Sequence, residues 1–280
     1  DGDILVAPRN ASINQSMVRS LSSTGALLPA IVYARNGVGR VDNFIETADG
    51  RVFAGGSFDY GNSGSYNGLM QIDPEGRQDE ASRIKASKSG LVYSFADTED
   101  GGVIAVGVFH TVNAVTMPRL ARVTATGKLD PNFQNRYQDG LLTEVKSCGD
   151  GTFLIFGSGI SYAGRTGLGL LRIAATGEFL NTFTGPNGSS GYTAMAVDLA
   201  NEQVVTIPSV GFSENNLVRR FTMDGTWVRD ESVDQDWRST VSRVLIDEAG
   251  GTVIAGRFTF SGVGAPRGFA RLTTTGEIDA

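Results

Sequence analysis

Three acidic residues stand at corresponding positions along this 280-residue chain: Glu46, Asp97 and Asp198. Carboxylates brought together by a repeating fold could hold a cation with water, because hard cations prefer oxygen ligands. Each acid also precedes a predicted turn, where a carboxylate can simply accept hydrogen bonds from backbone N–H groups. Ser147 and Ile246 replace the acid in two further copies. The sequence therefore predicts no metal site, and these three acids are weak candidates for one.

An arginine also recurs, at a position that Ser20 and Gln71 fill in two other copies. The recurring arginines are Arg122, Arg172, Arg220 and Arg271. A ring of arginines could bind an anion, but these residues fall on a predicted strand that is not the innermost one. We therefore predict that they form salt bridges or stack between neighbouring repeats.

Groups for catalysis are few. His110 is the only histidine, so it cannot form a repeated histidine metal site, and no nucleophile-elbow motif accompanies it for a Ser–His–Asp triad. The segment Gly164–Gly169 resembles a dinucleotide-binding loop, but a predicted strand follows it instead of the necessary helix. Two carboxylates in a cleft could still cleave a glycoside. We predict no enzymatic activity and no cofactor, with glycan cleavage as an alternative.

The composition argues against several classes of protein. The net charge is −6 without a long basic run, which disfavours binding to nucleic acid or an anionic membrane. Cys148 is the only cysteine, so neither an intramolecular disulfide nor a cysteine zinc site can form. The longest apolar run, Ala26–Ala34, contains Pro29 and is too short for a transmembrane helix. With 37 glycines and 19% charged residues, the chain is typical of a β-rich protein with many tight turns.

The recurring residues belong to a six-fold repeat. Its first anchor is a glycine, found at Gly25, Gly76, Gly127, Gly177, Gly225 and Gly276, with spacings of 51, 51, 50, 48 and 51 residues. A second anchor is an Asp-Gly pair, or a relative of it, before a β-rich run. Its glycines are Gly2, Gly50, Gly101, Gly151 and Gly250, and Glu202 fills the remaining position. Two anchors that share one period near 50 residues indicate a solenoid, an array or a propeller.

Each repeat contains four short predicted strands, which we call a, b, c and d. In repeat 2 they are Val41–Ala48, Arg51–Phe58, Gly68–Pro74 and a short segment after the first-anchor glycine. The anchors mark the a–b and c–d turns, because glycine tolerates the positive φ of a two-residue hairpin turn. A four-stranded antiparallel sheet repeated in this way is a propeller blade.

We therefore predict a single all-β domain over residues 1–280, a β-propeller of about six four-stranded blades. The sequence supplies only five a strands, and seven blades completed by further sequence is the alternative. The chain starts at Asp1 without a methionine or a signal pattern, so we expect it to be part of a longer polypeptide.

The repeat resembles the delta-60 family, domain of unknown function 5122. The resemblance is carried by DGGVIAVGVF (Asp100–Phe109) with LARVTATGKLDPNF (Leu120–Phe133), and by GGTVIAGRF (Gly250–Phe258) with FARLTTTGEID (Phe269–Asp279). Repeat 5 departs from the pattern because it lacks the Asp-Gly turn. The resemblance implies a propeller without assigned catalytic residues, of the kind found in bacterial surface and secreted proteins and in tail-fibre or baseplate proteins of large bacteriophages.

The b–c connections are the predicted binding site. They are long and unlike one another, and variable loops on a rigid scaffold are the usual place for binding. Tyrosine beside asparagine and arginine suits a sugar, although each of these residues could equally be a solvated loop tip. The candidates are Tyr60, Asn62, Tyr66, His110, Asn113, Tyr162, Arg165, Phe212 and Arg267.

We expect a non-enzymatic structural or receptor-binding propeller in a bacteriophage tail fibre or similar virion appendage. Its partners would be a host surface glycan or protein, or other virion or surface proteins, with no nucleic acid and no membrane insertion. Homo-oligomers could form through flanking regions. The alternatives are a bacterial secreted or cell-surface propeller that mediates protein–protein contact, and a glycan-cleaving enzyme. The expected location is the virion tail or the cell exterior.

Overall fold

The computed structural model describes residues 4–6, 17–22, 24–32, 40–57, 68–72, 90–186, 188, 190–208, 217–232, 240–258, 267–273 and 279. Every helix or strand in these residues is a β-strand, which confirms the predicted all-β class. Within the same ranges there is no helix long and apolar enough to span a membrane.

Repeats 1 to 3 contribute the first eleven strands. Repeat 1 contains β1 (Ile4–Val6), β2 (Met17–Leu21) and β3 (Leu27–Val32); repeat 2 contains β4 (Arg40–Glu46), β5 (Val52–Ser57) and β6 (Leu69–Ile72); repeat 3 contains β7 (Leu91–Asp97), β8 (Val103–Val108), β9 (Thr111–Val112), β10 (Val115–Thr116) and β11 (Leu120–Val123). The sheets have the orders β1-β2-β3, β4-β5-β6 and β11-β8-β7, and β9 pairs with β10 as a separate ribbon. Strand b is therefore central in repeats 2 and 3.

Repeats 4 to 6 contribute the other eleven strands. Repeat 4 contains β12 (Tyr137–Ser147), β13 (Thr152–Tyr162), β14 (Arg165–Ala174) and β15 (Phe179–Thr182); repeat 5 contains β16 (Tyr192–Asp198), β17 (Gln203–Pro208), β18 (Leu217–Thr222) and β19 (Trp227–Ser232); repeat 6 contains β20 (Thr240–Ile246), β21 (Thr252–Phe258) and β22 (Arg267–Leu272). The sheets have the orders β12-β13-β14-β15, β16-β17-β18-β19 and β20-β21-β22. Repeats 4 and 5 thus contain the four-stranded sheet that the sequence predicts.

Strand d of repeat 3 is shorter than expected. It consists of one bridge between Val123 and Leu129. Asp130 Oδ1 then accepts a hydrogen bond from the backbone N–H of Asn132 at 2.8 Å, and Pro131 has no N–H to offer a neighbouring strand. The Asp130 N–H still donates to the Arg122 carbonyl at 2.9 Å, and the chain turns away after Asp130, although Phe133 is buried as an anchor.

The turns at the anchors are longer than the predicted two-residue turns. In repeat 2, the N–H of Gly50 donates to the carbonyl of Thr47, and the N–H of Thr47 donates to the carbonyl of Arg51, both at 2.8 Å. Gly50 has a φ of 79°, in the left-handed region that favours glycine. This is a β-turn followed by a glycine bulge, a common three-residue hairpin loop. The backbone conformation therefore explains why a glycine recurs at this position.

The chain divides into two compact units. The first comprises Asp1–Tyr137, Leu141–Ser147 and Ala175–Glu178, and the second comprises Gln138–Gly140, Cys148–Ala174 and Phe179–Ala280. The single domain and the six blades stay predictions.

Within each unit, consecutive sheets pack face to face. We call the side of a sheet that carries the recurring arginine position the forward face, and the opposite side the rear face. In the first unit, Phe53 and Leu69 on the forward face of repeat 2 share one core with Phe95, Val103 and Val123 on the rear face of repeat 3. Both faces of a sheet are thus apolar, which explains why alternation is weak along strand b.

The second unit contains two such interfaces. Leu154, Phe156 and Leu170 from repeat 4 pack with Val204 and Phe221 from repeat 5. The forward residues Val205 and Val218 of repeat 5 pack in turn with Val244, Ile254 and Leu272 on the rear face of repeat 6. One packing rule, forward face against the next rear face, therefore holds at all three described interfaces.

Hydrogen bonds from side chains on strand a join the sheets of repeats 2 and 3, 3 and 4, and 5 and 6. They run from Asn43 Nδ2 to the Val92 carbonyl at 2.7 Å, from Ser94 Oγ to the Val145 carbonyl at 3.3 Å, and from Thr193 Oγ1 to the Val241 carbonyl at 3.1 Å. The two partners are 49, 51 and 48 residues apart in sequence. Each separation is one repeat period, so each of these three bonds joins a strand a to the strand a of the next repeat.

Glu202 fills the anchor-glycine position of repeat 5 with a φ of 52°, which is unfavourable for a residue with a Cβ atom. The variant Glu202→Gly should raise the free energy of unfolding by roughly 0.5–1 kcal/mol, because glycine adopts this conformation without the steric cost. Urea denaturation measures the change. Glu248→Gly, in the exposed a–b turn of repeat 6, is the matched control and should give no gain. Equal gains in both variants would contradict strain at Glu202.

Candidate functional site

Five of the nine predicted binding residues carry no described side chain. Tyr60, Asn62, Tyr66 and Phe212 lie outside the described residues, and only the backbone of Arg267 is described, at the start of β22. The site can therefore be built from two b–c connections, those of repeats 3 and 4.

The b–c connection of repeat 3 is a short ribbon with a buried base and an exposed tip. Phe109 and Val112 are buried in the core shared by repeats 2 and 3. The Met117 N–H donates to the His110 carbonyl at 3.0 Å and closes the base. At the tip Asn113 and Ala114 have φ values of 51° and 66°, the pattern of a tight type I′ hairpin turn.

The ribbon presents side chains of different chemistry to solvent. His110, Asn113, Ala114 and Thr116 are exposed, and Val115 is 51% exposed. Asparagine suits its place in the turn, because it tolerates the left-handed conformation better than most residues. The exposed imidazole and amide groups beside an apolar Val115 can contact a partner through hydrogen bonds and apolar packing.

The b–c connection of repeat 4 is not the loop that we predicted. Strands β13 and β14 extend through it as one hairpin, closed by Ala163 and Gly164 with φ values of 51° and 79°. Ile160 and Tyr162 point inward on alternate positions and both are 0% exposed. The expectation that Tyr162 is exposed was therefore wrong, because strand alternation extends to the hairpin tip and buries its ring. A role for Tyr162 in binding stays a prediction.

Arg165 is the predicted residue of this hairpin that does reach the surface. It is exposed, and its guanidinium carbon lies 3.9 Å from the centroid of the Phe179 ring in a cation–π contact. The sequence gives no signal for this pairing, since the two residues belong to different strands.

The three candidate metal ligands do not occupy equivalent positions. Val52 and Val204 occupy the same position on strand b, because each pairs with the strand c residue that lies four before a first-anchor glycine. On the other side, Val52 pairs with Glu46 of strand a, whereas Val204 pairs with Val197. Asp198 therefore lies one position beyond the slot of Glu46 and Asp97. The a–b turn of repeat 5 is one residue longer, so spacing alone misplaced it. Within the described ranges, no three His, Cys, Asp or Glu side chains form a group that could hold a metal ion.

Asp198 instead belongs to a buried ionic network in repeat 5. Arg220, which is 2% exposed, donates from Nε to Glu231 Oε1 at 2.6 Å and from Nη2 to Thr252 Oγ1 at 2.7 Å. Its Nη1 lies 3.5 Å from Asp198 Oδ2. Arg229 Nη2 contacts the same Glu231 oxygen at 2.7 Å from a more exposed position. The network therefore pairs the buried charges of repeat 5 with one another and, through Thr252, bonds to repeat 6.

The other recurring arginines also form salt bridges, as predicted. Arg122 pairs with Asp100 at 2.7 Å and with Asp130 at 2.9 Å. Arg172 pairs with Asp150, and Arg271 pairs with Asp247 at 2.5 Å. Asp100, Asp150 and Asp247 lie in the a–b turn of the same sheet, whereas Asp130 follows the c–d turn. These pairs were not predicted from the sequence, although the Asp-Gly motif contains Asp100 and Asp150.

The arginine position also bonds to the next repeat. Gln71 Nε2 donates to the Ala125 carbonyl at 2.7 Å, and Arg172 Nη1 donates to the Met223 carbonyl at 2.9 Å. Both acceptors lie two residues before a first-anchor glycine, in the next c–d turn. The predicted link between neighbouring repeats is therefore present, as a hydrogen bond to a turn carbonyl.

Replacing Arg220 with methionine should lower the free energy of unfolding by about 3–5 kcal/mol, because the buried Glu231 and Asp198 lose a compensating charge. Thermal and urea denaturation measure the loss. Arg229→Met is the matched control, since its side chain is 44% exposed and its loss should cost less than about 1 kcal/mol. Similar costs for the two variants would contradict a dominant buried pair.

The Asp100 carboxylate should make part of the stability depend on pH. The hydrogen bond from Thr98 lowers its pKa most, burial opposes this, and Arg122 lowers it further, so the pKa lies below its usual value. Its stabilising effect is present above the unfolded pKa of about 3.9 and is lost as pH falls through the lower folded pKa. Because the side chain is 54% exposed, solvent screening limits the effect to about 1 kcal/mol or less.

Asp100→Asn should therefore be less stable than the parent at pH 7, and the difference should shrink towards zero as pH falls below about 4. Urea denaturation at about pH 2.5 to 7, in steps of about 0.5 pH unit, measures the difference. Glu99→Gln, on the same turn, should follow the parent throughout. A constant difference between Asp100→Asn and the parent over this range would show that the charge is not involved.

Comparison with protein families supports the family that the repeat resembles. Residues 47–81 and 98–133 match the family described as Domain of unknown function (DUF5122) beta-propeller. These segments lie in repeats 2 and 3. No curated protein matches the chain.

Comparison with solved structures shows the fold. The structure of YCF48 bound to D1 peptide has a TM-score of 0.55 at 9% identity, over 98% of this chain and 72% of that chain. A protein of unknown function from Bacteroides caccae gives 0.47 at 12% identity, over 99% and 91% of the two chains. A gluconolactonase from Xanthomonas campestris gives 0.49 at 10% identity, over 98% and 88%. With the family match, the first of these likenesses shows that the chain has a β-propeller fold.

Proposed function

We propose that this chain is a non-enzymatic, structural and receptor-binding propeller that contacts its partner through the b–c connections. The observation that carries the proposal is the ribbon at His110–Pro118. Its base is held in the core by Phe109 and Val112, while its tip exposes side chains that the other described b–c connection, in repeat 4, does not reproduce. A rigid element with a non-repeated exposed tip is suited to recognition.

The setting that we propose is a bacteriophage tail fibre or similar virion appendage, with a host surface glycan or protein as the partner. The resemblance of the repeat supports this setting, and fold alone does not assign function. The imidazole of His110 and the amide of Asn113 are hydrogen-bonding groups that suit either a sugar hydroxyl or a protein backbone.

A bacterial secreted or cell-surface propeller that binds another protein is the second candidate. The solved propeller that carries a bound peptide favours protein recognition by this fold. A glycan-cleaving enzyme has weaker support, because neither described b–c connection brings two carboxylates together.

Binding can be tested with the fluorescently labelled chain on a bacterial glycan array and on intact bacterial cells. The double variant His110→Ala with Val115→Asp should weaken retention at least tenfold, because both side chains are exposed at the ribbon. Lys128→Ala, in the c–d turn of the same repeat, should bind as the parent does. No retention of the parent on glycans or cells would overturn the proposal, as would equal retention of the double variant.

The enzymatic alternative has its own assay. The purified chain should leave the bacterial polysaccharides of the array intact, as judged by the release of reducing ends. Release that is lost on replacing acidic residues near the b–c connections would favour the enzyme.

A further inference from the structure

One aspartate of this chain lies against the backbone nitrogen of the glycine that follows it. Asp139 and Gly140 belong to β12, the a strand of repeat 4, and the Asp139 side chain is exposed. The Gly140 N–H donates a hydrogen bond to Asp139 Oδ1 at 2.7 Å. The same nitrogen can attack the carboxyl carbon, and such reactions are fast when the reacting atoms are held roughly 3–3.5 Å apart.

The backbone requires a glycine at position 140. Gly140 has a φ of 98°, which residues with a Cβ atom rarely adopt. A Cβ atom at this position would lie 2.6 Å from the carbonyl oxygen of Gly159 and 2.7 Å from the Cα of Ile160. Because glycine has no side chain, its nitrogen is also poorly shielded. The fold therefore places the least shielded nitrogen directly after an exposed aspartate.

The other four described Asp-Gly pairs lie in turns, where a threonine hydroxyl holds the carboxylate. The hydroxyl of Thr47 donates to Asp49 at 2.6 Å and that of Thr152 donates to Asp150 at 2.5 Å. Thr98 and Thr222 donate in the same way to Asp100 and Asp224. An aspartate held by a threonine is fixed in an orientation that the turn determines.

Two further features protect the aspartates of these turns. The N–H groups of Gly50, Gly101 and Gly225 donate to a threonine carbonyl at 2.8–3.0 Å, so these nitrogens serve the turn. The threonine hydrogen bond is also the main reason why the pKa values of Asp49, Asp100 and Asp224 lie below their usual value. These carboxylates therefore stay ionised, and an ionised carboxylate resists attack because it would have to release an oxide ion.

We propose that Asp139–Gly140 is a modification site at which isoaspartate forms spontaneously, in preference to the Asp-Gly pairs of the turns. The Gly140 nitrogen attacks Asp139 Cγ and loses its proton, and the carboxyl hydroxyl leaves with a proton as water, which gives a five-membered succinimide. Water then adds to the main-chain carbonyl carbon of Asp139, and the bond from this carbon to the Gly140 nitrogen breaks. The chain now runs through Cγ, with one extra carbon in the backbone.

The modification should loosen the hairpin of repeat 4. Gln138, directly before the modified residue, accepts a hydrogen bond from the Gly164 N–H to its Oε1 at 2.8 Å. Gly164 lies at the tip of the hairpin β13-β14, beside the exposed Arg165. An extra backbone atom after Gln138 shifts β12 along β13, so this hydrogen bond should be lost.

Peptide mapping by mass spectrometry with electron-based fragmentation, which distinguishes isoaspartate from aspartate, tests the proposal after incubation in mildly acidic buffer. In the folded chain, isoaspartate should form at Asp139 about tenfold faster or more than at the four turn aspartates. In urea the five pairs should react at similar rates, because all have the sequence Asp-Gly. Asp139→Glu keeps the charge but would need a six-membered ring, so it should remove the signal. Asp224→Glu is the matched control and should leave the signal unchanged.

Three results would overturn the proposal. The first is equal formation of isoaspartate at the five pairs of the folded chain, or none at Asp139 when the denatured chain has reacted. The second is a preference for Asp139 that persists in urea, since the fold would then not be its cause. The third is an isoaspartate content that Asp139→Glu leaves unchanged. A preference that is present only in the folded chain and absent in Asp139→Glu would support it.

Discussion

Packing of one sheet against the following sheet is the constraint on which the described interfaces of this structure depend. A single sheet of three or four short strands cannot bury both of its apolar faces, so its stability comes from the sheets before and after it. The core clusters reflect this dependence, because each combines a forward face with the rear face of the following repeat. The recurring side chains serve the same contact, either through apolar packing or through a hydrogen bond to the next turn.

The same constraint distinguishes residues that recur in every repeat for structural reasons from residues that are free to differ between repeats. The recurring glycines adopt left-handed backbone conformations at turns, and the recurring arginines hold aspartates of the a–b turns. Both sets are repeated because each sheet needs the same hairpins. The b–c connections escape this requirement, so repeat 3 can carry a ribbon and repeat 4 an extended hairpin. Recognition is free to vary there without loss of packing.

Periodicity predicted most of the fold because the period is a direct consequence of the packing. The all-β class, the order of strands and the positions of the turns follow from two glycine positions that share one spacing, whereas the turn of repeat 2 has three residues and not the predicted two. Periodicity could not predict details that depend on the exact number of residues in one turn or strand. The longer turn of repeat 5 moved Asp198 out of the presumed carboxylate position and into a pair with Arg220. Side chains of β13 continue to alternate between the two faces up to Tyr162, so its ring is buried, although the nearby Gly159 and Gly164 are typical of a loop. Of the candidate site, His110, Asn113 and Arg165 were predicted as surface residues and are exposed, and the contact of Arg165 with Phe179 was not predicted.

A double-mutant cycle on Phe183 and Phe221 measures the packing of consecutive repeats most directly. The two rings belong to repeats 4 and 5, and their centroids lie 5.6 Å apart in an edge-to-face arrangement. The free energies of unfolding of Phe183→Leu, Phe221→Leu and the double variant should reveal a coupling of about 0.5–1.5 kcal/mol. Additive losses, with no coupling, would contradict the packing of each sheet against the next.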